Sequence, residues 1–460
     1  MKTHPIIKAA VLTLILSLAT SCGIYTKYET PTNTAITKAY VEARGDAAND
    51  TTIFGNLQWE TIFTDPTLVD YINRALNNNL TLKDARLNIE AAQAQLQGAK
   101  LAFFPSVALG PNGAGASYSG NAFSWSYSIP LTVSWEVDIF AKMLNNKRSA
   151  KVSVESAEIY AQAVRSQIIS SVANTYYAIA SVESQLALSR NTARLWQKSV
   201  QTMKDLFDAG RTNQAAVVQF DANYQSVLAS ITTLEVTRNQ LDNTMSILLG
   251  TLPQHWYVSA DATLTVPTMF VPGVPMYYLA NRPDVNVAER GLATAFYATN
   301  SARAAFYPGL TITANGGFTN LLGSIIRNPG DWFVQLAGSL AAPLFSRGQN
   351  IARLKAAKVA QNQAMNKFEA TVMSAAAEVS DALTTYEKAV ERLGYLDAQV
   401  QDLEKSVEYT NDLLLYSNGT YLEVLTAQQS LLQAQMNRLT CQLTQVQAVI
   451  NLYQAMGGGR

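Results

Sequence analysis

Leu101-Ala102-Phe103-Phe104-Pro105-Ser106 returns later in the chain as Ala304-Ala305-Phe306-Tyr307-Pro308-Gly309. A helix-like segment precedes each copy, Ala85-Arg86-Leu87 through Ala94 and Ala288-Glu289-Arg290 through Ala298. After each comes a matching junction, Asp138-Ile139-Phe140-Ala141-Lys142 and Pro343-Leu344-Phe345-Ser346-Arg347. The offset from Pro105 to Pro308 and that from Phe140 to Phe345 agree within two residues, so the chain is a tandem duplication. The period is far longer than a solenoid rung, and each copy is half of one larger architecture.

Proline placement separates the elements. No proline lies between Pro130 and Pro253, and none follows Pro343. An internal proline costs a helix about 3 kcal/mol, so two such tracts predict very long helices. In the second tract Val379, Ala382, Tyr386, Ala389, Leu393, Leu396, Val400, Leu403, Val407, Thr410 and Leu414 step by three and four without a slip, the heptad seam of a coiled coil. Val154, Ala157, Ala161, Val164, Ile168, Val172, Thr175, Ile179, Val182 and Leu186 repeat it in the first. A helix from Ala141 to Phe207 would run on the order of 100 Å at 1.5 Å per residue, which predicts an elongated molecule. Gly210, in Asp208-Ala209-Gly210-Arg211-Thr212-Asn213, interrupts the first seam, and Ser417-Asn418-Gly419-Thr420 interrupts the second. Each copy is thus expected to turn there as a helical hairpin, over about 141–249 and about 347–456.

Ahead of each hairpin the composition changes. From Ser124 to Asp138 the odd positions are Trp125, Tyr127, Ile129, Leu131, Val133, Trp135 and Val137, and the even ones are polar or proline. Leu310 to Asn315 and Trp332 to Leu336 share that period of two, whereas Ser106 to Ser119 is glycine-rich and only weakly alternating. Each copy therefore supplies two strands, over about 106–137 and about 309–342. One reading is a half-buried sheet on a soluble core. The other is a membrane barrel in which Trp125, Tyr127, Leu131, Val133 and Trp135 face lipid and the polar positions face a lumen. Closed barrels need about eight strands or more, so one chain cannot close one; three chains would supply about twelve.

The organisation expected is a signal peptide (1–21), an extended N-terminal segment (22–56), a first repeat (57–252), a proline-rich connector (253–283) and a second repeat (284–460). Lys2 and Lys8 precede an apolar run, Ala9 to Ala19, too short to span a bilayer, as in an export signal. It ends in Ala19-Thr20-Ser21-Cys22, similar to a bacterial lipobox whose cysteine is acylated, although Leu18 stands four residues before Cys22 instead of three. The only other cysteine is Cys441, which argues against disulfide stapling. The 34 basic and 34 acidic residues cancel without a basic cluster, so nucleic acid is not an expected partner. With two histidines, His4 and His255, no metal cluster and no catalytic constellation can be assembled. Gly457-Gly458-Gly459 follows a helix instead of opening one and is no phosphate loop. No enzyme activity and no cofactor are expected.

Several local patterns occur in a telling order: Trp59 with Phe63 and Asp65, Trp135-Glu136-Val137-Asp138-Ile139-Phe140, Asn281-Arg282-Pro283-Asp284-Val285, Tyr421-Leu422-Glu423-Val424-Leu425-Thr426-Ala427-Gln428, and the terminal glycines. Over essentially all of Leu57 to Gly459 the chain resembles the TolC-like outer-membrane efflux family, and through Cys22 its lipidated branch. The resemblance implies a mainly α fold with a membrane β-barrel: a homotrimer with a twelve-stranded barrel in outer-membrane lipid and an α-helical tunnel crossing the periplasm. It implies the exit duct of a tripartite pump, a passive conduit for small molecules. Its partners would be a periplasmic membrane-fusion adaptor and an inner-membrane pump of the resistance-nodulation-division type. Adaptor contacts are implied at the tips, Gly210, Arg211 and Thr212 with Gly419, Thr420 and Tyr421, and an acidic gate at Glu423. Gly210 precedes Ala222 by more residues than Gly419 precedes Ala427, so the second tip is expected to be shorter by roughly one helical turn. An exit duct for secreted polypeptide shares the fold, and a non-conducting coiled-coil lipoprotein would share the heptads.

Overall fold

The computed structural model describes residues 24–46, 57–117, 123–259, 277–319, 331–416 and 420–459. In chain order the elements are α1 (Ala35–Asp46), α2 (Trp59–Ile62), α3 (Pro66–Asn78), α4 (Leu80–Leu101), β1 (Ser106–Leu109), β2 (Asn112–Ala116), β3 (Ser124–Val137), α5 (Lys142–Asp208) and α6 (Gln214–Leu249). There follow α7 (Tyr277–Ala280), α8 (Pro283–Ala304), β4 (Gly309–Thr319), β5 (Asp331–Ala341), α9 (Gln349–Tyr416) and α10 (Tyr421–Ala455). Two helices dominate, α5 with 67 residues and α9 with 68, each the first arm of a helical pair. Among the described residues no helix is long and apolar enough to cross a membrane. The contacts divide the chain into two compact units.

The first unit (Met1–Thr37, Arg86–Ile159, Asn286–Ala370) holds the sheet. Its order is β1-β3-β4-β5, all antiparallel, with β2 also on β3. β1 and β2 are one strand row broken at Gly110-Pro111, because Pro111 has no N–H for the ladder. Pro130 sits inside β3 opposite Gly317, where an added Cβ would lie 2.1 Å from the Ile129 carbonyl oxygen. Only glycine permits that approach. β3 hands over to α5 through Ala141 at φ +56, and Asp138 caps the helix by accepting from Met143 N at 3.0 Å and Leu144 N at 2.7 Å. The second copy makes its junction with the same left-handed backbone at Arg347 and Gly348. An N-terminal strap closes this end. Ile24 is buried with Ala141 and Ala304, its carbonyl accepts from Asn145 Nδ2 at 2.8 Å, and Arg148 donates to the Tyr25 and Thr26 carbonyls.

The second unit (Lys38–Ala85, Tyr160–Val285, Thr371–Arg460) is helical. Asp65 starts α3 as its N-cap, accepting from Thr67 N at 2.8 Å with Pro66 at the first helical position. The helix then lays Leu68, Ile72 and Ala75 into a core with Phe63 of the preceding loop, Ile169, Val172 and Tyr176 of α5, Leu249 of α6 and Tyr453 of α10. Each such large apolar side chain contributes roughly 1.5–3 kcal/mol. Tyr176 ties this core together: its hydroxyl donates to Asp65 Oδ2 at 2.7 Å and accepts from Ser259 N at 3.0 Å. Burial foremost pushes that phenol well above the usual tyrosine range, so it remains a donor.

Candidate functional site

The ladder register aligns the alternation of every strand. Leu131 lies opposite Leu109 and Gly316, Trp135 opposite Ile312, and Ile129 opposite Phe318. On the far side Phe318 meets Trp332, Gly316 meets Val334, Ala314 meets Leu336 and Leu310 meets Leu340. One apolar face therefore runs across all strand rows. It stands open to solvent in the single chain, with Trp125 at 62% exposure, Leu131 at 47%, and Trp332 and Leu336 at 75% each. A contiguous apolar face of this kind marks a surface that meets a partner or a membrane. Tyr127 and Val133 share that face but are half-buried, and Trp135 donates from its indole N–H to the Phe103 carbonyl at 2.9 Å.

The opposite face is mostly polar, although Pro130, Phe333 and Ala337 also fall on it. Thr132 pairs with Asn315, Ser134 with Thr313, Glu136 with Thr311, and Asn315 in turn with Gln335. Glu136 is matched by Lys142 at 3.3 Å.

At the far end of the first helical pair the turn is fully specified by backbone chemistry. Gly210 adopts φ +69, its N–H bonds the Phe207 carbonyl at 2.9 Å, and Arg211 N–H bonds the Leu206 carbonyl at 2.8 Å, a Schellman motif. Arg211 is exposed and Thr212 half-buried. Asn213 then caps α6 by accepting from Ala216 N at 3.0 Å. Beneath lies a tip core of Trp196, Val200 and Met203 (α5), Val217 and Phe220 (α6), and Val424 and Leu425 (α10), with Leu206 and Tyr421 packed against it.

The second hairpin is not shorter by the helical turn expected: its return helix α10 has 35 residues against 36 in α6, because the caps Asn213 and Thr420, and not the glycines, mark equivalent points. At the second turn Thr420 is the N-cap of α10, and Glu423 accepts from the Thr420 backbone N–H at 3.1 Å. That is the N3 half of a capping box, so the carboxylate predicted for a gate already has a local structural partner. Gly419 and Cys22 lie outside the described residues, as do Ser417 and Asn418.

The chain matches the outer membrane efflux protein family over residues 71–251 and 275–458, one stretch for each copy. The chain belongs to this family. It is 27% identical to the cation efflux system protein CusC of Escherichia coli O6:H1 over 96% of each chain, and 28% identical to the probable outer membrane lipoprotein SilC of Salmonella typhimurium over 87% of this chain and 88% of that one. The open-state crystal structure of the Neisseria gonorrhoeae outer membrane channel MtrE superposes with a TM-score of 0.77 at 25% identity, over 88% of this chain and 92% of the other. The protein is thus an efflux-system channel of the outer membrane, an exit duct with the TolC-like, mostly helical fold.

The signature residues of this outer membrane efflux protein turn out to be structural. Trp59 and Phe63 are core, and Asp65 is a cap. Arg282, almost fully buried, grips both Asp284 oxygens at 3.0 and 2.6 Å, Glu378 at 2.6 Å and the Ala455 carbonyl at 2.8 Å, which fixes the start of α8 to the end of α10. The terminal glycines are steric: a Cβ on Gly458 would lie 2.3 Å from the Tyr453 ring, while Gly459 N–H bonds the Tyr453 hydroxyl at 2.8 Å. His255 is exposed, with Nδ1 3.0 Å from Asp242. Asp242 also pairs with buried Arg238 and accepts from Trp256 N at 3.0 Å, so this histidine belongs to a clamp on the connector.

Proposed function

We propose that three copies of this chain close their strand rows into a twelve-stranded barrel, with the Trp125, Tyr127, Leu131, Val133 and Trp135 face in outer-membrane lipid and the Thr132 and Ser134 face lining a water-filled lumen. The helical pairs form the periplasmic conduit. Cys22 is acylated and anchors the chain from the same side, consistent with the lipoprotein named among the relatives. The tip segments, Gly210 to Thr212 and Gly419 to Tyr421, meet a membrane-fusion adaptor that joins the duct to an inner-membrane pump of the resistance-nodulation-division type.

The observation that carries this reading is the continuous apolar face with aromatics at both ends. Phe123, Trp125, Phe318 and Trp332 lie exposed at one end and Phe104, Trp135, Phe306 and Phe345 at the other. Ten residues of strand from Trp125 to Trp135, at about 3.3 Å each and tilted about 40°, span about 25 Å, the height of the apolar band of membrane barrels. A soluble sheet would have to cover this surface, and the helices of its own unit leave it bare. The lumen wall is built mainly of hydroxyls and amides, with Phe333 among them and Glu136 matched by Lys142, so it chooses weakly among solutes. The cargo, cations as in the name of CusC or other small molecules, is chosen by the pump. Purified oligomer added to a planar bilayer should give discrete ion conductance; well-folded trimers that never conduct would defeat the proposal.

A further inference from the structure

Two basic positions recur with the duplication where the sheet hands over to the helices. Lys142 and Arg148 of α5 fall on Arg347 and Arg353 by the offset that carries Phe140 onto Phe345. The first copy shows what such a guanidinium takes. Arg148 donates from Nη1 to the carbonyls of Tyr25 at 3.0 Å and Thr26 at 3.1 Å, two oxygens of the strap that follows Cys22. The first copy also shows how the apolar face of the sheet ends. The Trp135 indole donates to the Phe103 carbonyl at 2.9 Å, and Lys147 Nζ stands 5.5 Å from the centre of the Phe103 ring. Aromatic rings give way to cations, as they do where an apolar surface meets water. In the second copy the cations are unmatched. Arg347, Arg353, Lys355 and Lys358 are all exposed, and none has a hydrogen-bond or ion-pair partner among the described residues. No acidic residue lies between Asp331 and Glu369, whereas from Glu369 to Tyr416 ten acidic residues outnumber three basic ones. The positive charge of α9 is thus collected at its sheet end. Ile351, Lys355 and Lys358 step by four and three along one helical stripe, and Leu344, Phe345 and Ile351 are exposed beside them.

We infer that Arg353, Lys355 and Lys358, with Arg347 beside them, bind the phosphate groups of anionic phospholipids in the leaflet that faces the periplasm. The inference rests on the barrel reading above, which puts the end of β5 at the membrane surface. The dimensions fit. Arg353 and Lys355 stand about 6 and 9 Å along α9 from Gln349, and the headgroup layer on each side of a bilayer is about 5–8 Å deep. Lys358 lies one turn farther, but helical side chains lean toward the N-terminus, so its four-carbon stem carries the ammonium back toward that layer. Where strap carbonyls satisfy Arg148, phosphate oxygens satisfy Arg353, and the bond to a charged acceptor is the stronger. The unneutralised block and the exposed apolar residues beside it match the two parts of a lipid, headgroup and chain.

The test uses the full-length protein in phosphatidylcholine vesicles doped with spin-labelled phosphatidylglycerol or spin-labelled phosphatidylcholine. Electron paramagnetic resonance gives the fraction of each label held by the protein. The unaltered protein should prefer phosphatidylglycerol about fivefold, the share of one cation at an anionic surface, and should lose that preference in about 1 M salt. Arg353→Gln, Lys355→Gln and Lys358→Gln together should bring the ratio to about one. Lys388→Gln, Arg392→Gln and Lys405→Gln together remove as much charge from the same helix beyond Glu369 and should leave the preference intact. No preference in the unaltered protein, a preference indifferent to salt, or equal loss in both triple variants would overturn the inference. So would a sheet-end variant that keeps its lipid preference while losing trimers or shifting reversal potential toward cations, for the cations would then serve contacts between copies or line the lumen. Unaltered protein that conducts in planar bilayers without preferring phosphatidylglycerol strikes this inference alone, whereas protein that neither inserts nor conducts strikes the barrel reading and this inference with it.

Discussion

Arginine placed at successive positions of β3 interrogates both face and depth. Leu131 stands one residue from the midpoint between Trp125 and Trp135, only about 2.5 Å from the middle of the proposed apolar band. Leu131→Arg should therefore cost roughly 2–4 kcal/mol per chain, or about 6–12 kcal/mol for a trimer if the three sites add. That exceeds much of the stability of an ordinary domain, so folded trimer should fall to trace levels. Thr132→Arg, on the facing side of the pleat, should leave trimer yield unchanged and shift reversal potential toward anions in planar bilayers. Val137→Arg shares the face of Leu131 but sits at its edge, where the cost should be about 0–1 kcal/mol. The assay is urea-dependent insertion into lipid vesicles, read by heat-modifiable gel mobility. Equal tolerance of arginine at Leu131 and Thr132, or equal loss at Leu131 and Val137, would refute the assignment, since a one-residue slip would invert the strand.

Glu423→Gln should keep the bond to Thr420 N–H while removing three carboxylates per trimer, whereas Glu423→Ala should also cost about 1 kcal/mol of helix capping. Selectivity altered equally by both in bilayers supports a charged gate, and alteration by alanine alone assigns the residue to the cap. Gly458→Ala should destabilise by about 1–3 kcal/mol through the trapped Tyr453 ring, but Gly394→Ala, in open helical space, should stabilise by about 0.5–1 kcal/mol; urea unfolding followed by circular dichroism reads both. Gly210→Pro removes the N–H bonded to Phe207 and forbids φ +69, so export in cells should stop while trimers persist, and Gly210→Asn should be tolerated. Cys22→Ser should abolish palmitate labelling; retained label would place the acyl chain elsewhere.

The two long helices were legible because proline absence and heptad spacing act over whole tracts, and errors average out over so many residues. The strand alternation was legible for the same reason along Ser124 to Asp138. Where structure depends on a single residue, the sequence offered less. Gly110-Pro111 breaks a strand row into β1 and β2 within a stretch too glycine-rich to show a period. Arg282 and Asp65 stood out as signatures, yet their partners Glu378, Ala455 and Tyr176 are distant in sequence. For Glu423 the signal was present in Thr420-x-x-Glu423, the spacing of a capping box.

The two copies set their tips by different local means. The first is held by the Schellman bonds of Gly210 and Arg211 and the cap at Asn213, the second by the bond from Thr420 N–H to Glu423. A glycine held at φ +69 tolerates few side chains, whereas a capping box depends on a carboxylate or amide three residues into the helix. Substitutions at Gly210 and at Glu423 therefore disturb their turns for different reasons, the first through backbone conformation and the second through a lost hydrogen bond.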